Sequence, residues 1–164
     1  MAEAATGCVL VLGIGNPDRG DDGAGRAVAR ALGVALPGAV EVSEADGEAT
    51  DILGRLEGAS AAYLIDACAS GAPAGTVHRF DVSRTPLPQG AFGVSTHGFG
   101  LHEAIELARA LGQLPPCCVV YAIEGTGFET GAPLSASAAA AVVEVTSRLL
   151  AELVGEDREE HTRA

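Results

Sequence analysis

Two carboxylates and one imidazole stand directly after segments of this chain that have the pattern of buried strands. Asp22 follows a glycine-rich turn after the first apolar run, Asp66 ends a later apolar run, and His97 begins a helical pattern. Polar residues just beyond the carboxyl ends of parallel strands form the binding sites of α/β proteins. Two carboxylates and an imidazole from three separate loops suit a divalent first-row metal with open coordination positions. The sequence therefore predicts a metal site made of Asp22, Asp66 and His97.

Each of these residues also has a structural interpretation that the sequence leaves open. Asp22 has the position of a helix cap, and Asp18 or Asp21 could fill the same role. A carboxylate that ends a buried strand costs free energy unless it is paired, and nearby loop amides could pair Asp66. His97 is equally consistent with an ordinary residue at the start of a helix, although the helix dipole there would keep its imidazole neutral and able to bind a metal.

The glycine-rich turn at residues 13–18 does not match a nucleotide-binding motif. The dinucleotide fingerprint needs a third glycine where Asp18 stands, and the carboxylates that follow would repel a pyrophosphate. The chain contains no Lys, so the phosphate-binding lysine of a P-loop is absent, and so is a G-x-S-x-G serine elbow. We therefore expect no nucleotide cofactor.

The composition is that of one acidic, ordered domain. The chain has 164 residues, of which 48% are hydrophobic, which allows a single core and excludes general disorder. All ten basic residues are Arg, and the formal net charge is −12. This charge argues against binding to nucleic acid or to an anionic membrane surface. No apolar run reaches the length of about 18 residues that a membrane-spanning helix requires, so we expect no membrane-spanning segment.

The cysteines and the N-terminal segment both bear on the compartment. The four cysteines have no C-x-x-C spacing, and three of them lie in or beside strand-like runs, so we expect reduced, buried thiols with no zinc site among them. The segment before Cys8 lacks the basic region of a signal peptide and is expected to lead into a strand. Together these features predict a cytoplasmic protein. We expect it to be a monomer.

Strand-length apolar runs alternate with helical patterns along the chain, which is typical of an α/β fold with three layers. We expect a single domain over residues 1–154 and a charged, frayed tail over 155–164. Residues 83–93 are rich in Pro and Gly and are expected to form a mobile loop, either a lid before His97 or a plain surface connection. The expected strands are 8–14, 39–43, 61–67, 76–80 and 117–123, and the expected helices begin near Asp22, at Thr50 or Asp51, near His97, and at Ser135 or Ser137.

An ordered set of motifs in this chain resembles the maturation proteases of nickel–iron hydrogenases. The resemblance extends from about residue 9 to residue 153, and the ordered set is more specific than any one motif. The first motif, V-L-G-I-G-N-P-D-R-G-D-D-G-A-G, is similar to the N-terminal signature of that family. The others are Asp46-Gly47, L-I-D-A at 64–67, S-T-H-G-F-G-L at 95–101, and V-Y-A-I-E-G at 120–125.

The resemblance implies a fold and a set of site residues. The family's fold is a phosphorylase/hydrolase-like three-layer α/β/α sandwich on a mixed five-stranded sheet, in the order 2-1-3-5-4 with strand 4 antiparallel. The family's metal-contacting residues correspond to Asp22, Asp66 and His97, and Asp46 and Gly47 join His97 as candidates for recognising substrate and nickel. The family's Asp-Gly-Gly-like element departs here to Asp46-Gly47-Glu48, and some members have Glu where this chain has Asp22.

The resemblance also implies an activity, which is removal of a C-terminal extension from the hydrogenase large-subunit precursor after nickel insertion. The nickel would be supplied by that precursor, since two carboxylates and one imidazole are a weak nickel site without additional thiolates. The hydrolytic step stays open between a metal-dependent mechanism and an aspartic one, with Asp22 or Asp66 as the group that activates water.

Two other functions are consistent with parts of the sequence. A non-catalytic, nickel-dependent assembly checkpoint or chaperone would use the same three residues without cleavage. The motif G-I-G-N-P also resembles the opening of peptidyl-tRNA hydrolases. That family needs a Thr-Arg-His-Asn-like element and a basic surface, whereas this chain has Asp21-Asp22 and a charge of −12.

Overall fold

A mixed five-stranded sheet forms the centre of the molecule, with its strands in the order β2-β1-β3-β5-β4. The first four in this order run parallel, and β4 pairs antiparallel with β5. The computed structural model describes residues 7–36, 38, 40–88, 90–92 and 96–162, with the side chains of 96–99 and 156–162 left out. The strand order and the antiparallel pairing of β4 confirm the predicted fold.

The elements follow the alternating pattern of the sequence, with shifted ends. Strand β2 begins two residues later than predicted, and β3 is longer at both ends. The elements are β1 (Cys8–Ile14), α1 (Ala24–Ala35), β2 (Glu41–Ala45), α2 (Ala49–Leu56), β3 (Ala59–Cys68), β4 (Val77–Asp81), α3 (Thr96–Ala110), β5 (Cys117–Glu124) and α4 (Ala136–Thr162), with a 3₁₀ turn (Gly20–Gly23) before α1.

Two apolar layers cover the two faces of the sheet. One layer packs α2 and α3 on residues such as Leu64 and Val120, and the other packs α1 and α4 on residues such as Ile65 and Tyr121. Strands β1, β3 and β5 are apolar on both faces because helices cover them on both sides. Because these three strands are parallel, their carboxyl ends meet at one edge of the sheet, where the loops that carry polar residues begin.

The first two helices show how their side chains are placed. The core face of α1 is made by Ala24, Val28 and Leu32, whereas Ala31 is exposed. Helix α2 is capped by neither predicted residue. The carboxylate of Glu48 accepts hydrogen bonds from the backbone N–H groups of the first turn.

The C-terminal helix and the proline-rich loop also depart from expectation. Helix α4 continues to Thr162, well into the charged segment that was expected to fray. Within the loop 83–93, Leu87 and Phe92 are buried in the core, and Ala69 N–H donates to the carbonyl of Phe92. The described part of this loop is therefore anchored, although it has no regular structure. The lid prediction for residues 83–93 stays untested, and residues 89 and 93 of this loop lie outside the described residues.

No helix in the described part of the chain has both the length and the apolar character needed to cross a membrane.

Candidate active site

Asp66 lies near the carboxyl end of β3 and is fully buried. Its Oδ1 accepts a hydrogen bond of 2.8 Å from the backbone N–H of Ala67. Its Oδ2 has no hydrogen-bond donor among the described residues. Burial raises the pKa of this carboxyl well above its usual range, and the negative charge of Asp22 raises it further. Asp66 is therefore a buried acid that needs either a proton or a cation.

Asp22 is brought next to Asp66 by the turn that follows β1. Gly15 adopts a φ of +134°, and a Cβ at this position would lie 2.0 Å from the carbonyl oxygen of Asp22, so only glycine allows this close approach. Asp22 is 2% exposed, and its Oδ2 accepts from the backbone N–H of Asn16 at 3.0 Å. The N-cap of α1 is Gly23, so the interpretation of Asp22 as the cap of that helix is wrong.

Asp21 is as buried as its neighbour but points into a different environment. Its carboxylate accepts from the backbone N–H groups of Thr126 and Ser135 at 2.8 and 2.7 Å, and from the Ser135 hydroxyl at 2.9 Å. Burial acts to raise the pKa of Asp21, but these hydrogen bonds outweigh it and hold the pKa below its usual value. Asp21 therefore fixes the Asp22 turn to the loop between β5 and α4.

His97 is the second residue of α3, and its side chain is outside the described part of the structure. The first turn of α3 packs on the loop after β2. A Cβ at Gly100 would lie 2.1 Å from the carbonyl oxygen of Gly47. Because Gly47 follows the carboxyl end of β2, the backbone of His97 lies at the same edge of the sheet as Asp22 and Asp66. The structure thus brings the two carboxylates together, and the triad with His97 stays a prediction.

Asp46 and Gly47 form the loop between β2 and α2. The Asp46 side chain is 91% exposed, and it accepts from Arg26 Nη1 at 3.2 Å. The same Nη1 donates to the carbonyl of Gly15 at 3.2 Å, so Arg26 joins this loop to the turn that carries Asp22. Asp46 is therefore placed at the rim of the candidate site rather than inside it.

A fourth buried carboxylate at this edge, Glu124, was missed in the sequence. It ends β5 and is 1% exposed, and it accepts from the Ser70 N–H and from His78 Nε2 at 3.0 Å. Burial acts to raise its pKa, but the hydrogen bonds from Ser70 and His78 hold it below its usual value. Glu124, like Asp66, directly follows an apolar run in the sequence, and this position was the signal that could have identified it.

The fold and these side chains define a class, which is an α/β/α protein with an acidic pair buried at the carboxyl edge of its sheet. Within this class the chain belongs to the hydrogenase maturation protease family (HycI), whose model matches residues 27–152. The matched region includes Asp66 and His97, and Asp22 lies just before it.

Known proteins of this kind are similar to the chain in sequence and fold. The hydrogenase expression/formation protein HupD of Thiocapsa roseopersicina is 29% identical over 118 residues, which are 71% of this chain and 53% of HupD. The chain thus spans about half the length of this curated relative. The structure of the hydrogenase maturating endopeptidase HybD from E. coli matches with a TM-score of 0.72 and 23% identity, over 91% of this chain and 93% of that one. A solution structure of an endopeptidase from Escherichia coli matches with a TM-score of 0.80 and 22% identity, over 91% and 93% of the two chains.

Proposed function

We propose that this protein is an endopeptidase that removes the C-terminal extension of a nickel–iron hydrogenase large-subunit precursor after nickel insertion. Membership of the hydrogenase maturation protease family supports this activity. The observation that carries it here is the buried pair of Asp22 and Asp66, in which one carboxylate oxygen has no donor among the described residues. A buried carboxyl group whose pKa is raised, as that of Asp66 is, is an expected feature of a hydrolytic site.

The nickel in this proposal belongs to the substrate. Oδ2 of Asp66, which has no donor among the described residues, and the negative charge of Asp22 create an environment in which a bound cation would be stabilised. Asp22, Asp66 and His97 would contact the metal that the precursor already holds, and the thiolates that nickel prefers would come from the precursor. Recognition then depends on whether nickel has been inserted.

The raised pKa of Asp66 couples recognition to hydrolysis. In the free protein burial and Asp22 favour the protonated form of Asp66. A positive charge brought by the substrate favours the ionised form, so the carboxylate becomes able to accept a proton from water only when the loaded precursor is bound. We assign the activation of water to this pair, with Asp66 as the acceptor.

The surface charge and the thiols support a partner and a compartment. The net charge of −12 suits a precursor that presents a basic surface around its cleavage site, because complementary charge speeds the encounter. No disulfide forms among the four cysteines, all of which lie in the described part of the chain; this suits a reducing compartment, and we propose the cytoplasm as the site of the reaction.

The test is mass spectrometry of the large-subunit precursor, nickel-loaded or nickel-free, after incubation with the protein. We expect a discrete C-terminal loss only from the loaded precursor, and none with His97→Ala or Asp66→Asn. Asp81→Asn is the matched control, because Asp81 ends β4 at the opposite edge of the sheet and should leave cleavage intact. Binding of the loaded precursor without loss of mass would contradict the protease and favour an assembly checkpoint. Equal cleavage of the nickel-free precursor would contradict metal recognition.

A further inference from the structure

Three side chains of metal-ligand type meet beside the acidic pair without belonging to it. Cys68 ends β3, Glu124 ends β5, and His78 lies in the edge strand β4. Cys68 is directly opposite Glu124 in the register of β3 and β5, and His78 is opposite Ala122, two residues before Glu124. One ligand atom from each of the three side chains lies within 4.8 Å of the other two.

We propose that Cys68, His78 and Glu124 form a binding site for a divalent transition metal, with zinc preferred. A sulfur, an imidazole nitrogen and a carboxylate oxygen are all ligands that Zn²⁺ takes, at about 2.0–2.3 Å. His78 Nε2 and Glu124 Oε1 already lie 3.0 Å apart, and rotation of the Cys68 side chain can bring its sulfur to the same ion. Three protein ligands leave a fourth position of the tetrahedron for water or another molecule.

The charges around the cluster favour a cation. The Glu124 carboxylate lies within 4.8 Å of the Cys68 sulfur, and a second buried carboxylate, Asp66, lies two residues before Cys68 in β3. When a metal binds, the Cys68 thiol gives its proton to solvent, and the thiolate sulfur, His78 Nε2 and a Glu124 oxygen bond to the ion. The positive charge then compensates the negative groups that otherwise repel one another at this edge.

The cluster also has the outer contacts and the access that a metal site needs. Ser70 donates to Glu124 through its backbone N–H and, by a short contact, through its hydroxyl, and these bonds can orient the carboxylate while it binds a metal. His78 stacks on Phe80 with the two rings 11° from parallel, which fixes the imidazole plane. The His78 side chain is 27% exposed, so an ion can enter from solvent.

The alternative is a closed hydrogen-bond network without metal. Glu124 accepts from Ser70, His78 and Cys68, and these bonds alone would hold the segment after β3 against β5. Sequence spacing predicted no zinc site among the cysteines, since the three residues come from three strands and only the sheet register brings them together. The two interpretations differ in whether the Cys68 sulfur can bond to a metal.

Cobalt substitution distinguishes them, because a thiolate bonded to Co²⁺ gives a near-ultraviolet charge-transfer absorption that carboxylates and imidazoles do not give. The full chain would be titrated with Co²⁺ and then with Zn²⁺. We expect one equivalent of cobalt to give the thiolate band and zinc to displace it. The band should be lost in Cys68→Ser and weakened in His78→Gln, a partly exposed position where the fold should tolerate the change. It should persist in Cys118→Ser, which removes an equally buried thiol at the other end of β5.

Stability supplies a second measurement, since the metal would link the edge strand β4 to β3 across β5. Saturating Zn²⁺ should raise the thermal midpoint of the wild type by roughly 5 °C or more and leave Cys68→Ser unchanged. No thiolate band in the wild type, or a band that survives Cys68→Ser, would overturn the proposal. Loss of the band in Asp22→Asn would also overturn it, by assigning Cys68 to the acidic pair instead. These outcomes are independent of whether the protein cleaves the hydrogenase precursor.

Discussion

Asp66, two residues before the end of β3, and Glu124, at the end of the adjacent strand β5, are both buried and have opposite environments. The Glu124 carboxylate accepts several hydrogen bonds and its pKa lies below the usual value, whereas Asp66 accepts one among the described residues, from Ala67, and its pKa lies well above. Both side chains are buried, and the difference lies in their neighbours: Ser70 and His78 donate to Glu124, whereas Asp66 faces the negative charge of Asp22. A buried acid that the fold supplies with donors is held ionised, and one that it leaves without them is available for chemistry.

The largest effect that this comparison predicts is on activity at Asp66. Asp66→Asn keeps the shape of the side chain but removes the group that accepts a proton, so cleavage of the loaded precursor should fall by about 10³-fold. The rate would be measured by single-turnover mass spectrometry at saturating enzyme, with the circular dichroism spectrum as the control for folding. A fall of less than tenfold would show that Asp66 does not take part in the reaction.

The next effect concerns Asp21, which resembles Glu124 in being fully supplied with donors. Asp21→Ala leaves the backbone N–H groups of Thr126 and Ser135 unsatisfied inside the protein, so the free energy of unfolding should fall by about 3 kcal/mol. Chemical denaturation at neutral pH measures this loss. Because the folded pKa of Asp21 is lowered, its contribution is present above the unfolded pKa of 3.8 and should disappear as the pH falls through the folded value. A loss that persists unchanged in acid would contradict this assignment.

Much of this arrangement could be predicted from the sequence. The rest depended on where a turn points each side chain and on how the strands pair. The alternation of apolar runs predicted the sheet, and the position of acids after those runs predicted Asp22 and Asp66. Asp21 was not separated from Asp22, because adjacent residues of one type differ only in where the turn aims them. His78 and Cys68 were not joined to Glu124, since the register of β3 and β5 places Cys68 opposite Glu124 and the antiparallel pairing of β4 with β5 adds His78.

The contact between α3 and the Asp46 loop predicts an effect on activity without loss of fold. Gly100→Ala places a Cβ against the Gly47 carbonyl, so the first turn of α3, which carries His97, must shift by several tenths of an ångström or more. Cleavage should fall by about 10- to 100-fold. Gly54→Ala is the matched control, because Gly54 lies in α2 with nothing within 4 Å of an added Cβ. Equal rates for the two variants would show that the position of α3 does not matter to the reaction.

A smaller effect concerns the free energy of unfolding, which substitutions of Asp66 and Glu124 should change in opposite directions. Asp66→Asn removes a charge that the folded state disfavours and should raise the free energy of unfolding at neutral pH by at least about 1 kcal/mol. Wild-type stability falls as the pH rises from the unfolded pKa of 3.8 through the raised folded value, so the difference should vanish in acid. Glu124→Gln should instead destabilise at neutral pH, because it weakens bonds made to an ionised carboxylate. Two changes of the same sign would contradict the contrast between these acids.

The smallest effect concerns Arg26 at the rim of the site. Arg26 joins Glu44, the carbonyl of Gly15 and Asp46 through contacts of 2.9, 3.2 and 3.2 Å, yet its ion-pair partners are partly or largely exposed. Exposed pairs contribute little, so Arg26→Lys should lower the free energy of unfolding by less than about 1 kcal/mol, and less still at high salt. The planar guanidinium that reaches three groups would be lost, and the Asp46 loop would be held less firmly, so KM for the precursor should rise while kcat stays constant. Arg30→Lys is the matched control, since Arg30 contacts Glu44 alone among these groups. A fall in kcat with KM unchanged would instead place Arg26 in the reaction that Asp22 and Asp66 perform.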